Sequence, residues 1–395
     1  MEKNLVEVNL DKLVSFRRDV HRHPELGFEE HETSRKIREY LEALDVEYVS
    51  GIGKTGIVAW IVGSREGHGA SVGLRADMDA LPLEEHSGVD HASRHHGRMH
   101  ACGHDGHTTM LLGAVEYFRH NRAFSGTIYF IFQPAEEGVG GGKAMVDDGL
   151  FERFPIKEVY GLHNWPGLPV GKFGLVSGPI MASGDRVDIT IQGRGGHGGL
   201  NPHGCVDPIR IAAELISKAH TIISREVDPL NPAVLSICAI QGGDLDGFAV
   251  IPNTTKLSGT IRALDEETRT IVASGLRRLC ESLEHYYGAT IELKIEDKFG
   301  VTFNDAEATE SARKVIQECF GEDALVRDYK PSMGGEDFSY MLAVRPGSYI
   351  HVGSGDEDHP HGLHNPQYDF NDSIIPLGVS LLSRLAVASL NRQYS

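Results

Sequence analysis

Three short apolar runs in this chain end alike, and that repetition constrains the fold more than any other feature. Ser71–Leu74 (SVGL) runs into Arg75-Ala76-Asp77-Met78-Asp79, Thr127–Phe132 (TIYFIF) into Gln133-Pro134-Ala135-Glu136-Glu137, and Val159–Leu162 (VYGL) into His163-Asn164. Short, continuous apolar runs read as strands buried on both faces of a sheet. In an open α/β sheet the site lies outside the carboxyl ends of the strands. One such ending arises easily by chance. Three of them predict a shared crevice lined by carboxylates and imidazole.

A fourth segment, Met99–Met110 (MHACGHDGHTTM), places Cys102, His104, Asp105 and His107 within six positions. Cys and His are strong ligands for borderline-soft metals, and carboxylates complete such shells. Gly103 and Gly106 permit tight turns between the polar residues. Met110, Leu111, Ala114, Val115 and Phe118 follow at helical spacing, so the loop is predicted to enter a buried helix. Taken by itself, this loop could equally be a polar turn around a buried free cysteine. The pair Glu136-Glu137 suits a division of labour, in which one carboxylate holds a metal and its neighbour takes a proton from water. An exposed acidic turn is the alternative, and the strongly apolar strand ahead of the pair disfavours it. For Asp77 and Asp79 the alternative is a turn cap and a solvated carboxylate. His21 and His23, at the predicted end of the first helix, read as structural.

The rest of the chain supplies a frame. Helices are predicted over 10–20 and 30–44, and a strand over 56–62. Near Gly184 the pattern changes to a strand over 186–192, a helix over 207–224, strands over 233–240 and 256–262, a helix over 266–287 and a strand over 290–295. That β-α-β-β-α-β order is the split unit of a ferredoxin-like sandwich. The expected division is therefore a first domain made of 1–184 and 297–395, with 185–296 inserted into it. Gly184 and Glu296–Gly300 are candidate hinges. An edge strand and one helix of the insertion could pair with a second copy. A helix over 306–320, a strand over 348–352 and an apolar helix over 373–390 complete the chain.

The net charge of −18 disfavours nucleic acid and anionic membrane as partners. The 5 cysteines are odd in number and unclustered, which argues against a disulfide framework. The N-terminal MEKNLVEVNLDKL has no apolar signal core, and no apolar run reads as transmembrane. The expected location is the reducing cytoplasm, which suits a working thiolate.

RADMDALPLEE, MHACGHDGHTTMLLG, FQPAEEGVGGGKAMVDDGL, GLHNWPGLPVG, GRGGHGG, IPNTTKLSGTIR, MGGEDFSYM and LHNPQYDFND follow one another along the chain. Together they resemble the M20 metallopeptidase family, and within it the amidohydrolase branch of hippurate hydrolases, N-acyl amino acid amidohydrolases and auxin-conjugate hydrolases. The resemblance implies an α/β, mixed-sheet, zinc-peptidase-like catalytic domain with an inserted ferredoxin-like α+β lid and dimerisation domain. It implies two divalent ions per chain (zinc, manganese, cobalt or nickel), held by Cys102, His104, Glu137, His163 and His364, with Cys102 bridging. Glu136 would be the general base. His197 would reach an active site, that of the partner subunit, and stabilise the oxyanion. Asn253 and Arg262 would hold the free carboxylate of the substrate.

The broader family carries H-x-D and a bridging aspartate where this chain has Asp77-Met78-Asp79 and Cys102, a pattern the amidohydrolase branch shares. Asp77 and Asp79 then read as groups orienting a ligand or the base, with Asp79 counted among the catalytic residues. His364 fits the motif, and the nearby His359 and His361 read as loop histidines. The implied substrate is a small N-acyl or N-aroyl amino acid such as hippurate, and the implied assembly is a homodimer, with a tetramer as the alternative. The competing activities are a metallo-dipeptidase or carboxypeptidase, a metal-independent hydrolase using Cys102 with His104 or His107, and a non-catalytic binding protein.

Overall fold

The computed structural model describes residues 5–67 and 69–393. The first four residues of the N-terminal stretch, His68 and the last two residues lie outside it. The chain divides into two compact units. One comprises residues up to Ile180, Thr302–Lys330 and Asp337 onward, and the other comprises Met181–Val301 with Pro331–Glu336.

The first unit is built on a seven-stranded mixed sheet. Its order is Glu47–Ile52, Gly56–Val62, Thr127–Gln133, Ser71–Asp77, Glu158–Pro169, Gly347–Gly355 and Phe173–Gly174. The four middle strands run parallel, and the flanking pairs are antiparallel. Parallel strands need cover on both faces, and every residue of Ser71–Asp77 is buried. Helices His104–His120 and Ile375–Arg392 pack on each other and on that strand. From Ser71–Asp77 the chain crosses through His104–His120 to Thr127–Gln133 on one side, then returns to Glu158–Pro169 on the other. The carboxyl end of Ser71–Asp77 is thus the switch point where a crevice must open.

Glu47–Ile52 is a strand that the sequence reading misses. Only Ile52 of its six residues is buried at the sheet edge, so it carries little alternation. A second difference concerns the C-terminal helix. The stretch Asp372–Arg392, with a mean hydropathy of 1.7, is long and apolar enough to cross a membrane, and 72% of that window is packed inside the protein.

The second unit is a four-stranded antiparallel sheet in the order Ala233–Gly242, Thr254–Ala263, Ser183–Gln192, Thr290–Phe299. Numbered along the chain, its strands lie 2-3-1-4, the ferredoxin-like arrangement. Helices Pro208–Glu226 and Glu266–Tyr287 pack on it. Val187, Ile189 and Ile191 alternate inward to form its core with Ile211, Leu215, Val272 and Leu276. Asp207 and Asp265 cap the two helices by accepting backbone N–H groups.

A buried ionic cluster ties helix Leu10–His21 to the first turn of helix His104–His120 and to Glu85 in the segment ahead of it. Arg17 donates to Asp372 (2.8 Å) and Asp105 (3.2 Å), and His21 bonds Asp105 (2.8 Å) and Glu85 (3.3 Å). Burial disfavours charge on His21, but Asp105 and Glu85 outweigh it and raise the imidazole to about 9. With a carboxylate on each ring nitrogen, His21 is an imidazolium. A raised histidine contributes stability that is complete below its unfolded value near 6.5 and is lost as pH climbs through about 9. Denaturant unfolding of wild type and His21→Gln should therefore diverge most at pH 6 and converge by about 3 kcal/mol towards pH 10. A difference independent of pH would refute the charged pair.

Candidate active site

The residues released by the central strands meet beyond the switch point. Gly103, at φ 90°, ends the cysteine loop and starts helix His104–His120. A Cβ there would lie 2.4 Å from Asn164 Oδ1 and 2.7 Å from the Tyr368 hydroxyl, so only glycine fits. The turn leaves Cys102 on the loop, with Sγ 3.4 Å from His163 Nε2. His163 Nδ1 lies 2.7 Å from the Asn164 carbonyl and must donate to it, so its Nε2 carries the lone pair towards Cys102.

His364, at φ 62°, is placed by its N–H on the Ala101 carbonyl (2.8 Å), and its Nε2 lies 3.3 Å from Glu137 Oε1. Ligand atoms of Cys102, Glu137 and His364 lie within 4.8 Å of one another, as do those of His104, Glu136 and Glu137, and those of Asp77, His104, His107 and His163.

Asp79 touches two of these groups. Its carboxylate lies 3.2 Å from His104 Nδ1 and accepts the Glu137 N–H at 3.0 Å, so it fixes the direction of His104 Nε2 and the start of Glu137. Asp77 lies 2.6 Å from His107 Nδ1 and accepts from Arg75 at 2.9 Å. Glu136 accepts the Asp337 N–H at 3.4 Å. Asp105, in the first turn of the helix that follows Cys102, turns away to Arg17 and His21. His359 is tied to Asp356 in its own loop (2.7 Å).

The electrostatics show what the cluster lacks. Burial pushes the Cys102 thiol well up, and Glu137, Glu136 and Asp77 push it further. Burial would lower His104, but Asp77, Asp79 and Glu137 raise it to about 10. Burial opposes charge on Asp77, and His104, His107 and Arg75 hold it well below the usual carboxylate range. Carboxylates and a thiol thus crowd one buried space, and a proton on His104 supplies part of the compensating charge. His104 Nε2 and Glu137 Oε1 are buried without a hydrogen-bond partner among the described residues. Orphaned ligand atoms in an anionic, mixed S/N/O cluster fit divalent cations. A reactive cysteine needs an electropositive setting, and Cys102 has the opposite.

Three of the residues that sequence reasoning proposed lie in the second unit. His197 is exposed on a short strand paired with Val250–Ile251. Its Nδ1 accepts the N–H groups of Gly199 (3.2 Å) and Leu200 (3.1 Å), so its proton sits on Nε2. Asn253 accepts the Gly195 N–H (2.8 Å). The Arg262 guanidinium lies 4.9 Å from the centre of the Phe299 ring, with Nη1 buried and without a hydrogen-bond partner among the described residues. Burial lowers its pKa.

Sequence reasoning left His107, Asn164 and Arg75 off its site list. His107 sits between Asp77 and the side chain of Asn164 (2.7 Å), and Arg75 bonds Gln133 (2.8 Å), Asp77 and Asp337 (3.3 Å). Two signals were available. His107 follows His104 by one helical turn and so shares its face. Arg75 is a charge inside an otherwise apolar central strand, which demands a partner.

Peptidase family M20/M25/M40 matches residues 73–388. The hippurate hydrolase of Campylobacter jejuni is 39% identical over 390 residues, covering 98% of this chain and 100% of that protein. Thermostable carboxypeptidase 2 of Saccharolobus solfataricus is 38% identical over 399 residues, covering 99% and 98%. Among solved structures, the YXEP protein of Bacillus subtilis, described as a dinuclear metal-binding peptidase of the M20 family, superposes with a TM-score of 0.82 at 33% identity, covering 97% of this chain and 98% of that one. The chain therefore belongs to Peptidase family M20/M25/M40, in its amidohydrolase branch, and is a metal-binding hydrolase of amide bonds.

Proposed function

We propose that the protein hydrolyses N-acyl or N-aroyl amino acids, of which hippurate is the representative, to a carboxylic acid and a free amino acid. The observation that supports this reading is the set of overlapping candidate metal groups, Cys102 with Glu137 and exposed His364, His104 with Glu136 and Glu137, and His163 with Asp77, His104 and His107, in which His104 Nε2 has no hydrogen bond among the described residues. Cys102, His104, Glu137, His163 and His364 would hold two divalent ions. The sulfur favours zinc-like metals over magnesium or calcium, and the mixed S/N/O shell also accepts manganese, cobalt or nickel. When bound, such ions make water acidic and polarise the amide carbonyl.

Glu136 then takes the proton of the attacking water on its carboxylate and returns it to the leaving amine nitrogen. Asp79 keeps His104 Nε2 aimed into the cluster. His197 donates from Nε2 to the tetrahedral oxyanion, a contact worth ~3 kcal/mol, and in this reading it serves the partner subunit's site. Arg262, whose Nη1 has no hydrogen-bond partner among the described residues, and Asn253 receive the carboxylate of the amino acid. Residues 185–296 act as lid and dimerisation domain, and the assembly is a cytoplasmic homodimer.

A carboxypeptidase is the second reading, favoured by the 38% identity to the Saccharolobus solfataricus enzyme. Assaying amine release from N-acetyl, N-benzoyl and indole-acetyl amino acids beside N-blocked dipeptides separates the two. Faster turnover of the dipeptides would favour the carboxypeptidase.

Glu136→Ala should lower kcat by about 10²–10⁴-fold with metal content unchanged by elemental analysis. Activity within a few fold of wild type would remove Glu136 from its role. Chelation should abolish amine release, and added zinc, manganese, cobalt or nickel should restore it. Survival in chelator would instead support the Cys102 hydrolase. Asp79→Ala should weaken metal affinity by about 10–100-fold in a competition titration, and an unchanged affinity would deny it the orienting function.

A further inference from the structure

Glu30 is a carboxylate wholly removed from water and held by two neutral donors. The Thr55 hydroxyl donates to Oε2 at 2.6 Å, and the Ala135 N–H donates to Oε1 at 2.7 Å. A buried carboxylate on neutral donors is costly, and burial pushes this one up to about 7. Such a group persists where the surrounding structure uses it.

What it grips is unusual. Ala135 has φ 52°, in the left-handed region that L-residues other than glycine avoid. Residues held there cluster at functional sites and must be over-determined by their surroundings. Three further contacts enclose the turn. A Cβ on Gly27 would lie 3.0 Å from Ala135 Cα, a Cβ on Gly56 would lie 3.0 Å from Pro134 Cδ, and the Gly141 N–H donates to the Ala135 carbonyl at 2.9 Å. Ala135 immediately precedes Glu136 and Glu137. A change in its backbone angles would swing Glu136, because no residue separates the strained peptide from it, whereas the Glu137 N–H is held separately by Asp79 at 3.0 Å.

We propose that Glu30 is a positioning residue: by holding the Ala135 N–H it locks the left-handed turn that aims Glu136 at the water and the leaving amine. This rests on the reading of Glu136 as general base. The chemistry Glu30 supplies is an acceptor at one point in space, and its charge is incidental. Glutamine can supply the same acceptor while its amide donates to Thr55.

The test measures kcat, KM and metal content on hippurate with added zinc or manganese, per folded enzyme. Glu30→Ala should lower kcat at least tenfold with KM and metal content unchanged, and Glu30→Gln should stay within a few fold of wild type. Adding Ala135→Gly to Glu30→Ala should recover part of the loss, since glycine adopts the turn unaided. Thr55→Val, which removes only the other hydrogen bond, should leave kcat unchanged. Should Glu30→Ala fail to fold, Glu30→Asp withdraws the acceptor by one methylene and should show the same kcat loss.

A wild-type kcat in Glu30→Ala or Glu30→Asp, or an equal loss in Glu30→Gln and Glu30→Ala, overturns the proposal. So does a loss that tracks metal content. Glu136→Ala in the same assay separates the two readings: full activity there removes the base and Glu30's role with it, whereas loss there beside full activity in Glu30→Ala removes only the latter.

Discussion

The structure depends on an electrostatic imbalance. Cys102, Asp77, Asp79, Glu136 and Glu137 are gathered in one small space, much of it closed to water. Like charges this close in a low-dielectric setting repel strongly. The protein answers with a proton on His104, raised to about 10, and with Arg75 against Asp77 and Asp337. Divalent cations held here would supply that charge in place of the proton, beside a thiol whose own environment disfavours the thiolate. Metal affinity, the hydrolytic activity and the inertness expected of Cys102 as a nucleophile all follow from that one shortage of positive charge.

A fold must be rigid to hold such a cluster open. The parallel strands do this through their backbones: beyond Arg75 and Gly161 the two central strands part, and each carboxyl end is held from its other side, Asp77 against Gln133 and His163 against His351. The turns do it through conformations that have few alternatives. Gly103 at φ 90°, Ala135 at φ 52° and His364 at φ 62° each sit beside or within the cluster. Further out, Arg17, His21 and Asp105 anchor the start of helix His104–His120 to the first helix. Stability and site geometry thus share the same buried charges.

Much of this is legible in the chain. The apolar runs at 71–74, 127–132 and 159–162 are strands in the structure, and helices Glu266–Tyr287 and Ala306–Phe320 have their expected bounds. Hydrophobic periodicity is strong there because those elements are buried. The edge strand Glu47–Ile52 is hidden for the opposite reason, since half-exposed residues alternate little. Cys102, His104, His163 and the Glu136-Glu137 pair carry a signal in their own chemistry, whereas the choice of Glu137 within the pair and of His364 comes from the family resemblance. Asn164 and Glu30 could not be named, since their roles come from contacts made across more than fifty positions of chain. The sign of Ala135 φ is likewise set by Glu30, Gly27 and Gly141 together, and no local pattern encodes it.

The central claim is that this cluster exchanges protons for cations. Cobalt titration of the metal-free protein, followed by calorimetry in buffers of different ionisation enthalpy and by absorption, tests it directly. The account predicts two ions bound per chain, release of protons from Cys102 and His104 on binding, and a sulfur-to-cobalt charge-transfer band that Cys102→Ser abolishes. Binding without proton release, or a band that survives loss of Cys102, would contradict it.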